Sequence, residues 1–258
     1  MTVEWLALAE ELAHWAIERA GPVRRHAVDT KTGPTDLVTD VDRAIERHVR
    51  DAVLQRFPDH RVVGEEYGGT SDDRPTWYVD PIDGTTNFAR GIGWFSFSVG
   101  IVADGRLVAG VVADLPRGEV ISARAGHGAT IDGRPVHCAD MTGLAAEVVL
   151  TEWSRSRPWP GMTAMLDRLV QHDCTARIMG SSALSIATVA SGRAAAAVLG
   201  RYNPWDVLGG IAVAREAGAV VLSRRGPVDA ALPPGDGLLV AVPGVAEAVR
   251  GAWLGPQA

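Results

Sequence analysis

Two aspartates stand three residues apart in the segment WYVDPIDGTTNF, which covers residues 77–88. An apolar run precedes Asp80, and Pro81 cannot donate to a strand ladder, so we expect the strand to end at Asp80. Both acids then lie at the carboxyl end of a strand, where open α/β sheets commonly bind ligands. Because close carboxylates repel unless a proton or a cation lies between them, Asp80 and Asp83 form a candidate metal site. Taken alone, the same residues also fit a plain turn.

The residues after the aspartates favour phosphate binding. Gly84, Thr85 and Thr86 indicate the start of a helix or a tight turn. Free backbone N–H groups at such a start would suit a phosphate group.

Further acids follow or precede apolar elements elsewhere in the chain. Glu65 and Glu66 end an apolar strand in VVGEEYGG, and Asp206 begins a helix in NPWDVLGG. Alone, Asp206 is more typical of a helix cap, and the two glutamates of a solvated loop. Together with the aspartate pair they predict one shared site, and such an all-oxygen set is what Mg²⁺ prefers.

A zinc site is much less favoured, because the histidines show no His-x-x-x-His or equivalent spacing. The only His/Cys candidates are His137-Cys138 and His172-x-Cys174.

The composition is that of an ordinary globular protein, since 47% of the 258 residues are hydrophobic and 22% are charged. The net charge of −6 argues against a nucleic-acid binder or a peripheral membrane protein. Two cysteines are too few for a disulfide scaffold and indicate a reducing compartment. Glutamates interrupt the apolar pattern of the first residues, unlike a signal peptide, so we expect a cytoplasmic protein with no membrane span.

Helices and strands alternate in the first half. We expect a helix in residues 1–21, a loop at 31–35, a helix over 36–57, and strands at RVVGEE and TWYVD. Residues 94–124 alternate around two turns, which is typical of an antiparallel meander.

The second half repeats the alternation of strands and helices. Strands are predicted near VVLT, AAAAVLG and AVVLS, and helices across residues 160–171, after Gly180-Ser181-Ser182 and after Pro204. The pattern predicts layered sheets covered by helices. We expect a single domain, residues 1–258, with lobes of about residues 1–145 and 146–258.

Four segments carry a family resemblance. They are DPIDGTTNF (80–88), GEE (64–66), DLVTDVD (36–42) and WDVLGGIAVAREAGA (205–219). In order and spacing this set resembles the motifs of the inositol monophosphatase family, over nearly the whole chain. The resemblance is weaker for the substrate, since family members act on inositol phosphates, histidinol phosphate, fructose bisphosphate or nucleotide bisphosphates.

The resemblance implies an α/β layered fold of the αβαβα sandwich type, commonly dimeric, and thus a homodimer. It implies two or three Mg²⁺ ions, with Mn²⁺ as a possible substitute. The metal ligands implied are the side chains of Glu65, Asp80, Asp83 and Asp206 and the carbonyl of Ile82.

The resemblance also assigns the catalytic and substrate residues. Thr85 and Asp42 match the water-activating pair, with Glu65 as the catalytic metal ligand, and Lys31 matches a lysine on a mobile active-site loop. The phosphate would be held by backbone N–H groups of Gly84 and Thr85. Gly180, Ser181, Ser182 and Asp206 would lie on the substrate side.

One position departs from the inositol-binding pattern. Those members carry a Glu seven residues before the motif aspartate, and here that position is Leu199. Arg201 and Tyr202 are nearby candidates to contact a different leaving group, although Arg201 also fits a solvated loop. We therefore expect a Mg²⁺-dependent phosphomonoesterase for a small sugar, cyclitol, amino-alcohol or nucleoside phosphate. The alternatives are a dedicated histidinol-phosphatase and a non-catalytic, partner-binding member.

Overall fold

The structure, a computed structural model, describes residues 2–30, 37–153 and 157–255. The helices are α1 Thr2–Ala20, α2 Asp40–Arg56, α3 Thr85–Arg90, α4 Met162–Val170, α5 Ser182–Ala190, α6 Pro204–Glu216 and α7 Ala246–Leu254, with a 3-10 turn at Pro243–Val245. The strands of the first half are β1 Asp29–Thr30, β2 Leu37–Val38, β3 Arg61–Gly64, β4 Thr76–Asp83, β5 Ser96–Ala103, β6 Arg106–Asp114, β7 Glu119–Arg124, β8 Ala129–Ile131 and β9 Arg134–Val136. Those of the second half are β10 Val148–Thr151, β11 Thr175–Ile178, β12 Ala196–Leu199, β13 Val220–Ser223, β14 Gly226–Pro227 and β15 Leu238–Ala241.

The elements form five layers. A seven-stranded sheet, ordered β3-β4-β5-β6-β7-β8-β9, is antiparallel except for the pair β3–β4. A six-stranded mixed sheet is ordered β11-β10-β12-β15-β13-β14. Helices α1 and α2 cover the outer face of the first sheet, α5 and α6 lie between the sheets, and α4 and α7 cover the second sheet. The predicted αβαβα sandwich is confirmed. No helix in the described residues is long and apolar enough to cross a membrane.

Helix α2 begins later than its apolar pattern suggested. We expected a helix from residue 36, but the structure has the short strand β2 at Leu37–Val38 and starts the helix at Asp40. Thr39 fixes that start, because its hydroxyl oxygen accepts from the backbone of Val41 while the Asp42 carboxylate accepts from the Thr39 N–H at 3.0 Å. This reciprocal capping box sets the helix start and directs Asp42 toward the chain entering the helix.

Strand β4 does not end at Asp80 as expected from Pro81. It continues to Asp83, with Asp80 opposite Ser98 and Asp83 opposite Ser96 on β5. Three steps along β4 therefore match two steps along β5, so β4 contains one additional residue, a β-bulge. A bulge tolerates proline because the additional residue makes no regular ladder bond, which explains how the strand passes Pro81.

Helix α6 lies unusually close to the seven-stranded sheet. A Cβ atom at Gly209 would stand 2.5 Å from the Ser98 hydroxyl oxygen and 2.8 Å from the Val111 carbonyl oxygen. Facing glycines on the sheet, Gly100 on β5 and Gly110 on β6, have the helix against them in the same way. The absence of side chains at this contact fixes the depth of α6, whose first turn carries Asp206.

We expect Gly209→Ala to lower the free energy of unfolding by about 1–3 kcal/mol, since the added methyl group must displace the sheet or the helix. Gly251→Ala in α7 is the matched control, because nothing lies within 4 Å of its added Cβ. That control should gain about 0.5–1 kcal/mol from helix propensity. Urea unfolding measures both, and equal midpoints for wild type and Gly209→Ala would contradict the close contact.

Candidate active site

Five acidic side chains from four elements meet at one edge of the seven-stranded sheet. The charges of Asp42, Glu65, Asp83 and Asp206 all raise the pKa of Asp80. They are Asp42 in the first turn of α2, Glu65 just after β3, Asp80 and Asp83 on β4, and Asp206 in the first turn of α6.

The bulge in β4 explains how Asp80 and Asp83 both belong to this group. In a regular strand, residues three apart point to opposite faces of the sheet. The additional residue between them offsets that alternation, and both carboxylates are influenced by Glu65. Asp80 is 2% exposed and Asp83 is 9% exposed, so water screens neither charge well.

Burial is the largest cause of the unusual ionisation at this site. It raises the pKa of Asp80 well above the ordinary range, and the charges of Glu65, Asp83, Asp206 and Asp42 raise it further. Burial likewise raises the pKa of Asp83 to about 8, although the Ser181 hydroxyl and the Ala183 N–H oppose that shift. The pKa of Asp206 is raised well above its usual value by burial and then by Asp83.

The acids suit a divalent cation in charge and donor type. The Asp80 Oδ1 atom is buried and has no hydrogen-bond partner among the described residues. An unpaired buried carboxylate oxygen among other acids is costly unless a proton or a cation compensates it. Within residues 2–30, 37–153 and 157–255, no three His, Cys, Asp or Glu side chains form a ready-made metal site.

Thr85 links the bulge to helix α2. Its hydroxyl oxygen is 3.2 Å from Asp42 Oδ1 and 3.0 Å from the Ile82 carbonyl oxygen. The single hydroxyl proton can serve one of these acceptors at a time. The other oxygen of Asp42 accepts from the Thr39 N–H and hydroxyl. Burial is the main reason that the pKa of Asp42 is raised to about 6.

Gly84 and Gly180 bring the predicted phosphate and substrate segments into contact. Gly84 precedes α3 with a φ of 96°, and a Cβ there would be 2.8 Å from the Gly180 carbonyl oxygen. The Asn87 amide, on α3, donates to the Trp94 carbonyl and the Met179 carbonyl, both at 2.8 Å. Both the close approach and the left-handed backbone require glycine at residue 84.

Ser181 differs from the substrate-contacting side chain we expected. It is fully buried, and its hydroxyl donates to Asp83 Oδ2 at 2.7 Å. The same carboxylate oxygen accepts from the Ala183 N–H at 2.6 Å. Ser181, at the start of α5, therefore holds the Asp83 carboxylate of β4 in place. The side chain of the neighbouring Ser182 is only half-buried.

Two buried glutamates near the site were missed in the sequence. Glu152 follows β10 and accepts from the Gly180 N–H and, at 2.6 Å, from the Ser185 hydroxyl, so it orders the segment around Ser181. Burial raises the pKa of Glu152 to about 7. Its position directly after an apolar strand repeats the signal that identified Glu65. Glu46 lies one helical turn after Asp42, a spacing that places both on one face of α2.

Several other residues singled out in the sequence are packed in a sheet, bonded to another segment, exposed to solvent or outside the described part of the chain. Leu199 is 1% exposed and pairs with Leu238 in the second sheet. The Tyr202 hydroxyl donates to the Pro234 carbonyl, so it could contact a leaving group only as an acceptor. Arg201 is exposed. Lys31, with the loop expected at 31–35, lies outside the described residues.

Comparison with known proteins gives a consistent result. The model of the inositol monophosphatase family matches residues 3–252. An inositol-1-monophosphatase of Mycobacterium bovis is 39% identical over 249 residues, covering 90% of this chain and 83% of the relative. Nus factor SuhB of Pasteurella multocida is 35% identical over 211 residues, which cover 80% of this chain and 79% of that relative. Among solved structures, a Thermotoga maritima IMPase has a TM-score of 0.87 at 29% identity, covering 96% of both chains.

Replacing one buried acid should stabilise the metal-free protein at alkaline pH. A raised folded-state pKa contributes stability below the ordinary carboxyl pKa, and that stability is lost as pH rises through the folded value, about 8 for Asp83. With a chelator at about pH 8.5, Asp80→Asn should therefore be more stable than wild type, and the gain should shrink near pH 5. Mg²⁺ should raise the melting temperature of wild type more than that of the variant.

The matched control is Asp51→Asn, an exposed position on α2. It should not change either response. A lower stability of Asp80→Asn than of wild type at both pH values, without divalent cations, would show that the acids do not repel one another.

Proposed function

The chain belongs to the inositol monophosphatase family, and from this we propose that it is a Mg²⁺-dependent phosphomonoesterase acting on a small phosphorylated metabolite. The observation that supports it best is the group of five acids around Asp80, whose Oδ1 atom lacks a partner among the described residues. Asp42, Asp80 and Asp83 are buried and the other two acids are half-buried, and such a concentration of carboxylates is unfavourable unless a proton or a cation compensates it.

The proposed metal ligands are the side chains of Glu65, Asp80, Asp83 and Asp206 and the carbonyl of Ile82. They are all oxygen donors, which hard cations prefer. When bound, two or three Mg²⁺ ions, or Mn²⁺ in their place, would neutralise the phosphate, lower the pKa of water and stabilise the departing oxygen.

Asp42 and Thr85 are proposed to orient the attacking water. The Thr85 hydroxyl can accept a hydrogen bond from that water while donating its own proton to Asp42, 3.2 Å away. Asp42 suits this role because its second oxygen is already fixed by Thr39. Attack would be in line on phosphorus, with no covalent intermediate on the protein.

The phosphate would be held by backbone N–H groups of Gly84 and Thr85 at the start of α3. The contact between Gly84 and the Gly180 carbonyl supports a shared pocket for phosphate and leaving group. Ser182 and Arg201 are the proposed leaving-group contacts, and Lys31 a further phosphate contact. Glu152 would keep the Gly180 segment in position through its bonds to Gly180 and Ser185.

The leaving group is proposed to differ from inositol. Leu199 occupies the position of the expected acid and is packed in the core, so it offers no acceptor to a polyol hydroxyl. The site should therefore favour a leaving group with an apolar or anionic portion. Histidinol phosphate, as the substrate of a dedicated histidinol-phosphatase, and sugar or nucleoside phosphates are the candidates.

A non-catalytic, partner-binding role is the second candidate. It is favoured by the 35% identity to a protein named Nus factor SuhB. The presence of all five acids favours the enzyme, because binding a partner does not require them. A cytoplasmic location and a homodimer are part of the proposal, the first supported by two free cysteines.

Phosphate release with and without Mg²⁺ separates the two roles. Wild type should release phosphate from at least one ester only with the metal, and Asp83→Asn should lower that rate by at least about 10²-fold. Asp51→Asn should retain wild-type activity. No Mg²⁺-dependent release from any of inositol phosphate, histidinol phosphate, fructose bisphosphate and nucleoside phosphates would overturn the enzyme proposal.

The same four esters test the leaving group. We expect myo-inositol 1-phosphate to have a lower kcat/KM than the best of the others, because Leu199 provides no acceptor for its hydroxyl groups. A preference of about 10-fold or more for inositol phosphate would contradict this expectation. In that case another acceptor must replace the absent acid.

A further inference from the structure

The turn that carries Glu65 is hydrogen-bonded to helix α2 through Glu46. Glu46 is 0% exposed, and its carboxylate accepts from the Glu66 N–H at 2.6 Å and from the Tyr67 N–H at 3.1 Å. A buried carboxylate satisfied by backbone N–H groups is a strong, directional contact. The backbone just after Glu65 is therefore fixed to α2.

The backbone just before Glu65 packs against the same carboxylate. A Cβ atom at Gly64 would collide with the Glu46 carboxylate group, so this oxygen pair lies directly against the Gly64 backbone. Gly64 in turn donates to the Gly68 carbonyl at 3.0 Å, which closes the turn. Glu46 thus contacts both neighbours of Glu65 along the chain.

Arg50 completes the contact one helical turn further on. Its Nε and Nη2 atoms lie 3.0 Å and 2.9 Å from Glu46 Oε1. The same guanidinium donates to the Val62 carbonyl at 3.2 Å and to the Gly68 carbonyl. Arg50 therefore neutralises Glu46 and ties together the two chain segments on either side of the turn.

We infer that Glu46, with Arg50 as its counter-ion, is the positioning residue for Glu65. The inference rests on the proposed function, in which Glu65 binds a metal ion. It assigns α2 two tasks: Asp42 directs Thr85, and Glu46, one turn later on the same face, sets the direction of Glu65. A rotation or shift of α2 would then move Asp42 and Glu65 together.

Glu46→Gln removes the charge and keeps the shape. Its amide group can accept through only one atom, so one of the two N–H groups, of Glu66 or Tyr67, loses its partner. We expect Mn²⁺ affinity to fall about 10-fold or more, the scale on which partners of metal ligands act. At saturating Mg²⁺ most of kcat should return, and KM for the best ester should change by less than about 2-fold.

Mn²⁺ binding, measured by electron paramagnetic resonance of the free ion, reads the site without turnover. Glu216→Gln is the matched control, because Glu216 accepts from the N–H groups of Gly126, His127 and Gly128 at 2.8, 3.0 and 2.8 Å in another turn. It should lose thermal stability but keep Mn²⁺ affinity. Equal affinity in Glu46→Gln and Glu216→Gln would reduce Glu46 to a structural role and overturn the inference.

Glu65→Gln distinguishes the positioning role of Glu46 from the metal-ligand role of Glu65. If it loses Mn²⁺ affinity while Glu46→Gln does not, the positioning role fails and the proposed function survives. If Glu65→Gln binds Mn²⁺ like wild type, the ligand role of Glu65 in the proposed function fails first. Should Glu46→Gln not fold, Arg50→Lys keeps a charge beside Glu46 but loses carbonyl contacts, and an unchanged Mn²⁺ affinity there would also overturn the inference.

Discussion

Repulsion among buried carboxylates is the constraint on which this structure depends. Five acids share one region, and four of them, Asp42, Asp80, Asp83 and Asp206, have pKa values raised by burial and by neighbouring acids. A fold that places such charges together must supply hydrogen-bond donors and favourable dipoles near them.

The starts of three helices supply those donors. Asp42 accepts from Thr39 at the start of α2, and Asp206 accepts from the Asn203 N–H at 2.6 Å at the start of α6. Asp83 accepts from Ala183 at the start of α5. Because the positive ends of the helix dipoles face the acids, the layered architecture itself offsets part of the repulsion. The close packing of α6 through Gly209 then holds one of these helix starts against the sheet.

Four of the five acids could be predicted from the sequence because each follows or precedes a short apolar element, whereas Asp42 was indicated only by the family resemblance. Asp206 shows that the two interpretations weighed for it are compatible, since it caps α6 and also lies among the other acids. The layers could be predicted from the alternation of elements. The start of α2 was wrong by a few residues because the capping box at Thr39, a local polar contact, outweighs the apolar pattern.

The rest depended on contacts between distant parts of the chain. Glu152 and Ser185 are 33 residues apart, and Tyr202 and Pro234 are 32 apart, so neither pairing leaves a local pattern. Ser181 was expected to contact substrate because its segment matches a motif, whereas its burial against Asp83 depends on how α5 meets β4. Sequence patterns indicate which residue types could act in a site, but they do not show which of those side chains are hydrogen-bonded to other parts of the protein.

Because of the bulge in β4, the site depends on the number of residues between Asp80 and Asp83. If Pro81 or Ile82 were deleted, the two aspartates on β4 would be separated by two positions, as Ser96 and Ser98 are on β5. The pairing of the two strands would then become more regular. The remaining aspartates would then stand two apart, and Ser98 and Ser96 would face them in ordinary register. The sheet would lose an irregularity, while the Ile82 carbonyl that meets Thr85 would be reoriented in the first deletion and removed in the second. The number of residues between the aspartates therefore matters to the site even where the sheet itself would tolerate a change.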